Sequence, residues 1–211
     1  MFPNYPWRMW RARLRARVMI ADGNKMPLLA GQFHSASGMN LSERFIDRSC
    51  FYLQTEYRIK LRVAVEAMPA DALWWRANEQ SNSVGNLLAH LAGNLRQWIV
   101  SGVGGAADSR DRAAEFDARA GATAAELLAG LEQTVDEAVA VISKLSASDL
   151  SSTRLIQGRD VSVFDAIYHV VEHFSLHLGQ IILIAKVHAP GTVRFYEDAG
   201  GLARPLWPEF A

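Results

Sequence analysis

Three histidines recur every four residues near the C-terminal end of the sequence: His169, His173 and His177, within YHVVEHFSLHLGQIILI. Imidazole is the commonest protein ligand for transition metals, bound through a neutral ring nitrogen. Residues four apart in an α-helix lie on one face, about one turn above each other. Such a stripe among apolar residues can present nitrogens to a metal ion. One helix comfortably supplies two ligands, so a usable site draws a third from another element.

A second polar stripe offers that third ligand. Asn86, His90 and Asn94 fall at four-residue spacing inside NLLAHLAGNL, flanked by Leu87, Leu88, Leu91 and Leu95. A histidine buried on so apolar a face must be hydrogen-bonded or coordinated, because an unpaired buried polar group is costly. Two bundle helices that each turn imidazole inward can build a metal site in a bundle core. Three protein nitrogens leave a coordination position open, the mark of a catalytic rather than a structural site. A ladder of hydrogen-bonded histidines without metal shows the same spacing. Glu172 precedes His173, so the pair does not form the HExxH pattern of zinc proteases, in which the glutamate follows the first histidine.

The elements that must position these residues follow from apolar periodicity. A first helix is predicted from Leu41 to about Met68, with a cap-like Ser42 and apolar residues that include Phe45, Ile46, Leu53, Tyr57, Leu61 and Val65. Pro69 disfavours helix before it. A second helix starts at Ser83 and ends at Gly102, Gly104 and Gly105. Residues 106–122 read as charged loop with one turn around RAAEFDA. The third helix opens at Thr123, with Glu126 three residues on as in a capping box, and runs to about Leu145. RLIQGRDVSV forms a candidate hairpin around Gly158. The fourth helix runs from Ser162 to Val187 or His188, ahead of Pro190 and Gly191. The tail shows no period, and its Phe195, Tyr196 and Trp207 are expected to pack against the helices. Four long amphipathic segments and no convincing sheet predict an all-α protein, a four-helix bundle, with one domain over residues 41–211.

Residues 1–40 are different. They carry Arg8, Arg11, Arg13, Arg15, Arg17 and Lys25 against Asp22 alone, with Trp7 and Trp10 and no sustained period. The expectation is a poorly ordered basic extension. A membrane-surface or nucleic-acid arm is the alternative. The tryptophans argue against a transit peptide, and Met39 is a candidate start. Formal net charge is zero, so the remainder is mildly acidic and no global field favours nucleic acid. No basic helix face with interleaved aromatics appears, so nucleic acid is not an expected partner. No run approaches the ~18–20 apolar residues that span a bilayer, and VMIA is too short for a signal-peptide core. A cytoplasmic location without membrane association is the default. The lone Cys50 excludes an intramolecular disulfide and a cysteine-based zinc site, and reads as a small buried hydrophobe. His34 and His188 lie outside both stripes and read as surface residues.

The segments NSVGNLLAHLAGNLRQWI, YHVVEHFSLHLGQIILIAKV and VRFYE together resemble the DinB-like superfamily, nearest its small uncharacterised bacterial branch. The resemblance covers about residues 42–197. Its most specific part is HxxxH followed by GQ, paired with N-x-x-x-H in the second helix. It implies a bundle of up-down-down-up order, often a homodimer, with a three-histidine site for a divalent metal. Carried over by position, the ligands are His90, His173 and His177. His169 then stands one turn outside the set, lining the same cleft, with Asn86, Asn94 and Gln180 as further cleft-lining or supporting residues. Tyr196 also matches, and Gly179 suggests close helix packing.

Characterised members of the superfamily use low-molecular-weight thiols in S-transfer or isomerisation. The resemblance therefore implies a metal-dependent small-molecule enzyme of the thiol S-transferase type. Zinc or nickel leads as the ion, and iron, manganese or cobalt also suits imidazole. One alternative is a hydrolase with a metal-bound hydroxide, weakened because no carboxylate lies on the histidine faces of the second or fourth helix. Another is a metal-binding or stress-response protein without catalysis.

Overall fold

A computed structural model of the chain describes residues 38–206. The basic extension expected over residues 1–40 falls almost wholly outside the described residues, as do His34 and Trp207.

The first helix is assembled from α1 (Leu41–Phe51), a π-helical stretch (Tyr52–Tyr57) and α2 (Arg58–Glu66) without a break. Its cap is Asn40 rather than Ser42. The Glu43 N–H donates to Asn40 Oδ1 at 3.0 Å, and the Asn40 N–H donates to the Glu43 carboxylate at 2.9 Å. The reciprocal pair needs a glutamate three residues after the cap, and only Asn40 stands in that register. After a 3-10 turn at Ala70–Ala72, α3 (Val84–Leu95) starts from the expected Ser83 cap and continues as a π-helical stretch, Arg96–Val103. The turn expected around RAAEFDA is α4 (Arg112–Asp117), and α5 (Ala124–Ile142) carries the expected Thr123–Glu126 capping box.

The short α6 (Ala147–Leu150) precedes a hairpin of β1 (Thr153–Ile156) and β2 (Arg159–Ser162). Gln157 and Gly158 between them both have positive φ, 52° and 73°, as a two-residue hairpin turn requires. Ser162 then caps α7 (Val163–His188). The tail holds a second hairpin, β3 (Tyr196–Asp198) and β4 (Ala203–Pro205), which periodicity missed because three-residue strands are too short to show alternation. Phe195 packs against the core as expected. Tyr196 stays largely exposed, with Lys60 Nζ 5.4 Å from its ring centre.

Cross-helix contacts fix the directions. Phe45 stacks on Phe164 and Tyr57 on Phe174, so the first helix runs parallel to α7. Arg58 pairs with Asp136 and Arg62 with Glu132, so it runs antiparallel to α5. His90 meets His173 while Asn94 meets His169, so α3 is antiparallel to α7. Arg96 pairs with Glu137 and Gly104 lies against Val141, so α3 and its π-helical extension run parallel to α5. The order is up-down-down-up, around a core that includes Leu53, Leu61, Leu91, Ile99, Leu131 and Phe174.

Parallel neighbours cannot be joined by a tight turn. The chain must travel back along the bundle between α3 and α5, and the long connection that does so carries α4 across the face of α3.

Close packing also governs the start of α3. A Cβ added at Gly85 would lie 2.7 Å from the Trp74 ring. Gly85→Val is expected to destabilise the fold by about 1–3 kcal/mol, read as a lower urea midpoint.

Candidate metal centre

α3 and α7 bring three imidazoles to one point. His173 Nε2 lies 3.1 Å from His90 Nε2 and 3.2 Å from His177 Nε2. The ligand atoms of these three residues all fall within 4.8 Å of one another, a group that could hold a metal ion. Two nitrogens bound tetrahedrally at about 2.0–2.1 Å stand about 3.3 Å apart, close to the two short separations.

The protons argue in the same direction. His90 Nδ1 is 2.8 Å from Glu115 Oε2. Burial opposes ionisation of Glu115, but hydrogen bonds from Arg110 and His90 outweigh it and hold the carboxyl below its ordinary range. An ionised carboxylate at that distance takes the N–H of His90 Nδ1, which leaves Nε2 as a bare lone pair. Arg110 Nη2 also approaches His90 Nδ1, at 3.0 Å, but two N–H groups cannot serve each other, so Arg110 serves the carboxylate. His177 Nδ1 likewise donates to Gln180 Oε1 at 2.8 Å, which frees its Nε2. Two lone pairs therefore point at His173 Nε2, which has at most one proton to share between them. His173 Nδ1 is buried without a partner. Ligating histidines characteristically donate their second nitrogen to a carboxylate or carbonyl, as His90 and His177 do here.

His169 stands apart from the three. Its Nε2 takes a hydrogen bond from the Asn94 amide at 3.2 Å, and its ring lies 4.0 Å, centre to centre, from that of Trp98. Asn86 faces the long connection instead of the histidines. Its Oδ1 accepts from Ser83 and Arg76, and its Nδ2 donates to the carbonyls of Glu115 and Ala118 at 2.8 and 2.9 Å. Gly179 is exposed and, among the described residues, has no neighbour within 4 Å of where a Cβ would lie, contrary to the close packing expected. His188 is half-buried with its ring 4.6 Å from that of Trp75, so it is not the surface residue expected.

Sequence reasoning missed Glu115 and Arg110. The carboxylate that reaches the histidine cluster comes from α4, at the side of the two helices, where Glu115 meets His90. Arg110 grips both Glu115 oxygens, at 2.7 and 2.8 Å, and its head group is buried. One signal was available: Gly93, in mid-helix between His90 and Asn94. A Cβ there would fall on Glu115 Oε1, so the missing side chain is the space that the carboxylate occupies.

An up-down-down-up helical bundle is the architecture of a DinB-like protein, and that is the class to which this fold belongs. Residues 40–194 match the family described as "Protein of unknown function (DUF1572)", within the DinB-like superfamily, and the chain belongs to that family. A solved structure of a DinB-like protein from Bacillus cereus superimposes with a TM-score of 0.54 at 17% identity, covering 69% of this chain and 94% of that one. At that identity the likeness establishes the fold. No curated protein matches the chain.

Burial, together with the neighbouring His177, His90, His169 and Arg110, pushes the His173 pKa from 6.5 down to about 3. Between these values the metal-free folded ring is neutral and the unfolded one is charged. Its contribution to stability is therefore present above pH 6.5 and lost as pH falls toward 3. The urea midpoint of chelator-treated protein is expected to drop between about pH 7.5 and about pH 4.5. His173→Asn should show a smaller drop, and an equal drop would contradict the assignment.

Proposed function

We propose that this protein is a divalent-metal-dependent enzyme of the thiol S-transferase type, acting on small molecules. The proposed ligands are His90, His173 and His177, with one coordination position left open. The observation that carries this reading is the convergence of three Nε2 atoms, two of them freed because Glu115 and Gln180 take the Nδ1 protons.

A divalent ion held by His90, His173 and His177 would supply Lewis acidity, the chemistry that favours the thiolate or hydroxide form of a thiol or water. The chain does the rest. Glu115 holds the His90 ring in one tautomer and one orientation, and Arg110 keeps that carboxylate ionised. Gln180 does the same for His177 without adding charge. His169, packed against Trp98 with its ring tilted, lines the side of the site nearer the far end of α3.

The thiol itself is drawn from the DinB-like resemblance. Cys50 is half-buried, and burial together with Asp47 pushes its thiol up to about 11, so it is no nucleophile near neutral pH. A thiol reaction here needs a thiol brought by the substrate. Hydrolysis is the second reading, since Glu115 is a carboxylate close to the histidines. Its oxygens are already held by Arg110 and His90, so it is poorly placed to take a proton from water.

Elemental analysis of purified protein is expected to find a near-stoichiometric divalent ion, lost in His90→Ala, His173→Ala and His177→Ala. A thiol-dependent conjugation assay should show turnover that vanishes with a chelator. Metal without turnover would indicate a passive metal binder, and thiol-independent hydrolysis would favour the second reading. Protein free of metal, with variants of unchanged stability, would leave a plain histidine ladder. Glu115→Gln is expected to weaken metal affinity about 10–100-fold in competition with a chromophoric chelator.

A further inference from the structure

Two departures from ordinary backbone meet near the histidines. The helix that carries His90 passes into its π-helical stretch at Arg96, and Gln97 stands within it. Such stretches are rare and recur at functional sites. Gln157, at the β1–β2 turn, has φ 52° and is the one non-glycine with positive φ among the described residues. Asparagine or glycine ordinarily takes that turn position, because other side chains are strained there. Strain that the surrounding structure maintains points to a function.

The two glutamines bond to each other. Gln157 Nε2 donates to Gln97 Oε1 at 2.6 Å, and the same oxygen accepts from Arg110 Nη1 at 3.0 Å. Gln97 Nε2 donates to Asp108 Oδ2 at 2.8 Å. Arg110 can only donate and an ionised Asp108 can only accept, so the Gln97 amide has one orientation. The hairpin is held close here: Ile156 is buried, and a Cβ at Gly102 would lie 2.7 Å from Ile156 Cδ1. The other nitrogens of Arg110 face the site. Nε and Nη2 serve Glu115, while Nη2 also stands 3.0 Å from His90 Nδ1. A guanidinium turned further toward His90 would donate to Nδ1 itself. The ring proton would then sit on Nε2, the nitrogen that faces His173.

We propose that Gln97 and Gln157 are positioning residues for His90. By engaging Arg110 Nη1 they keep the guanidinium on Glu115. That keeps the His90 proton on Nδ1 and leaves the Nε2 lone pair free to ligate. The β1–β2 hairpin supplies no ligand, yet it takes part in the site through a chain of hydrogen bonds that runs Gln157, Gln97, Arg110, Glu115, His90. A hairpin that served packing alone would need only Ile156 at this point, and its turn would be better suited by asparagine or glycine. The inference takes the ligand set proposed above as its starting point. It concerns a ring proton that metal-free protein carries as well.

NMR of the metal-free full chain, with nitrogen-labelled histidines, reads the tautomer directly. Wild-type His90 is expected in the Nδ1–H form. Gln97→Met should raise the ratio of Nε2–H to Nδ1–H about three- to tenfold, the weight of one hydrogen bond, and Gln157→Gly should raise it in the same direction. Gln157→Gly also separates positioning from stability. Glycine relieves the positive φ, so the urea midpoint should hold or rise while the tautomer shifts. An unchanged ratio in either variant would overturn the proposal. So would wild-type His90 in the Nε2–H form, or a shift in Gln157→Gly that only accompanies a lower urea midpoint. Should Gln97→Met fail to fold, Gln157→Gly, in an exposed turn, still decides. Chelator competition on wild type tests the metal reading separately: if no ion binds, that reading fails, and the tautomer ratios still decide this one.

Discussion

Three imidazole nitrogens within 4.8 Å of one another, two pairs of them at hydrogen-bonding distance and with fewer protons than lone pairs, form the constraint around which the rest of the site is arranged. Repulsion between lone pairs in a half-buried setting is unfavourable, and no acid among the described residues stands at the meeting point to relieve it. The chain does the opposite. Glu115 and Gln180 accept the outer protons of His90 and His177, and Arg110 keeps Glu115 ionised so that it goes on doing so. A metal-free histidine ladder has no use for such an arrangement, whereas a cation at the meeting point satisfies every nitrogen it faces.

The topology explains how that arrangement is reached. Because α3 and α5 run parallel, the connection between them must travel back up the bundle, and it passes His90 on the way. Asn86 and Arg76 fasten it by binding the carbonyls of Phe116 and Ala118, beyond Glu115 on the same segment. The polar stripe of α3 is thus divided in function. Its first member holds the connection, its second meets α7, and its third supports His169.

Much of this was legible in the sequence, and for physical reasons. Ser83, Thr123 and Ser162 announce helix starts because a capping side chain must sit at a fixed offset from the N–H groups it satisfies. The histidine spacings report faces directly, since helical geometry converts a four-residue interval into adjacency. What stayed hidden depends on tertiary placement. Glu115 sits in a charged segment with no period, and only Gly93, read as a vacancy for a neighbour, hinted at its partner. The hairpin of β3 and β4 has strands of three residues, too short for alternation to register. Ser42 looks like a cap because a hydroxyl stands beside an apolar run, whereas the Glu43 register selects Asn40.

The separation of these residues along the chain has a thermodynamic consequence. His90 and His173 are brought together only when the second and fourth helices dock, and Glu115 only when the long connection closes over them. An unfolded chain presents His173 and His177 to an ion but leaves His90 far away. An ion that requires all three recognises the completed bundle alone, so its binding free energy adds to the stability of the whole fold, in proportion to the logarithm of its free concentration once the site is saturated. The free concentration of such an ion then sets how firmly the protein stays folded.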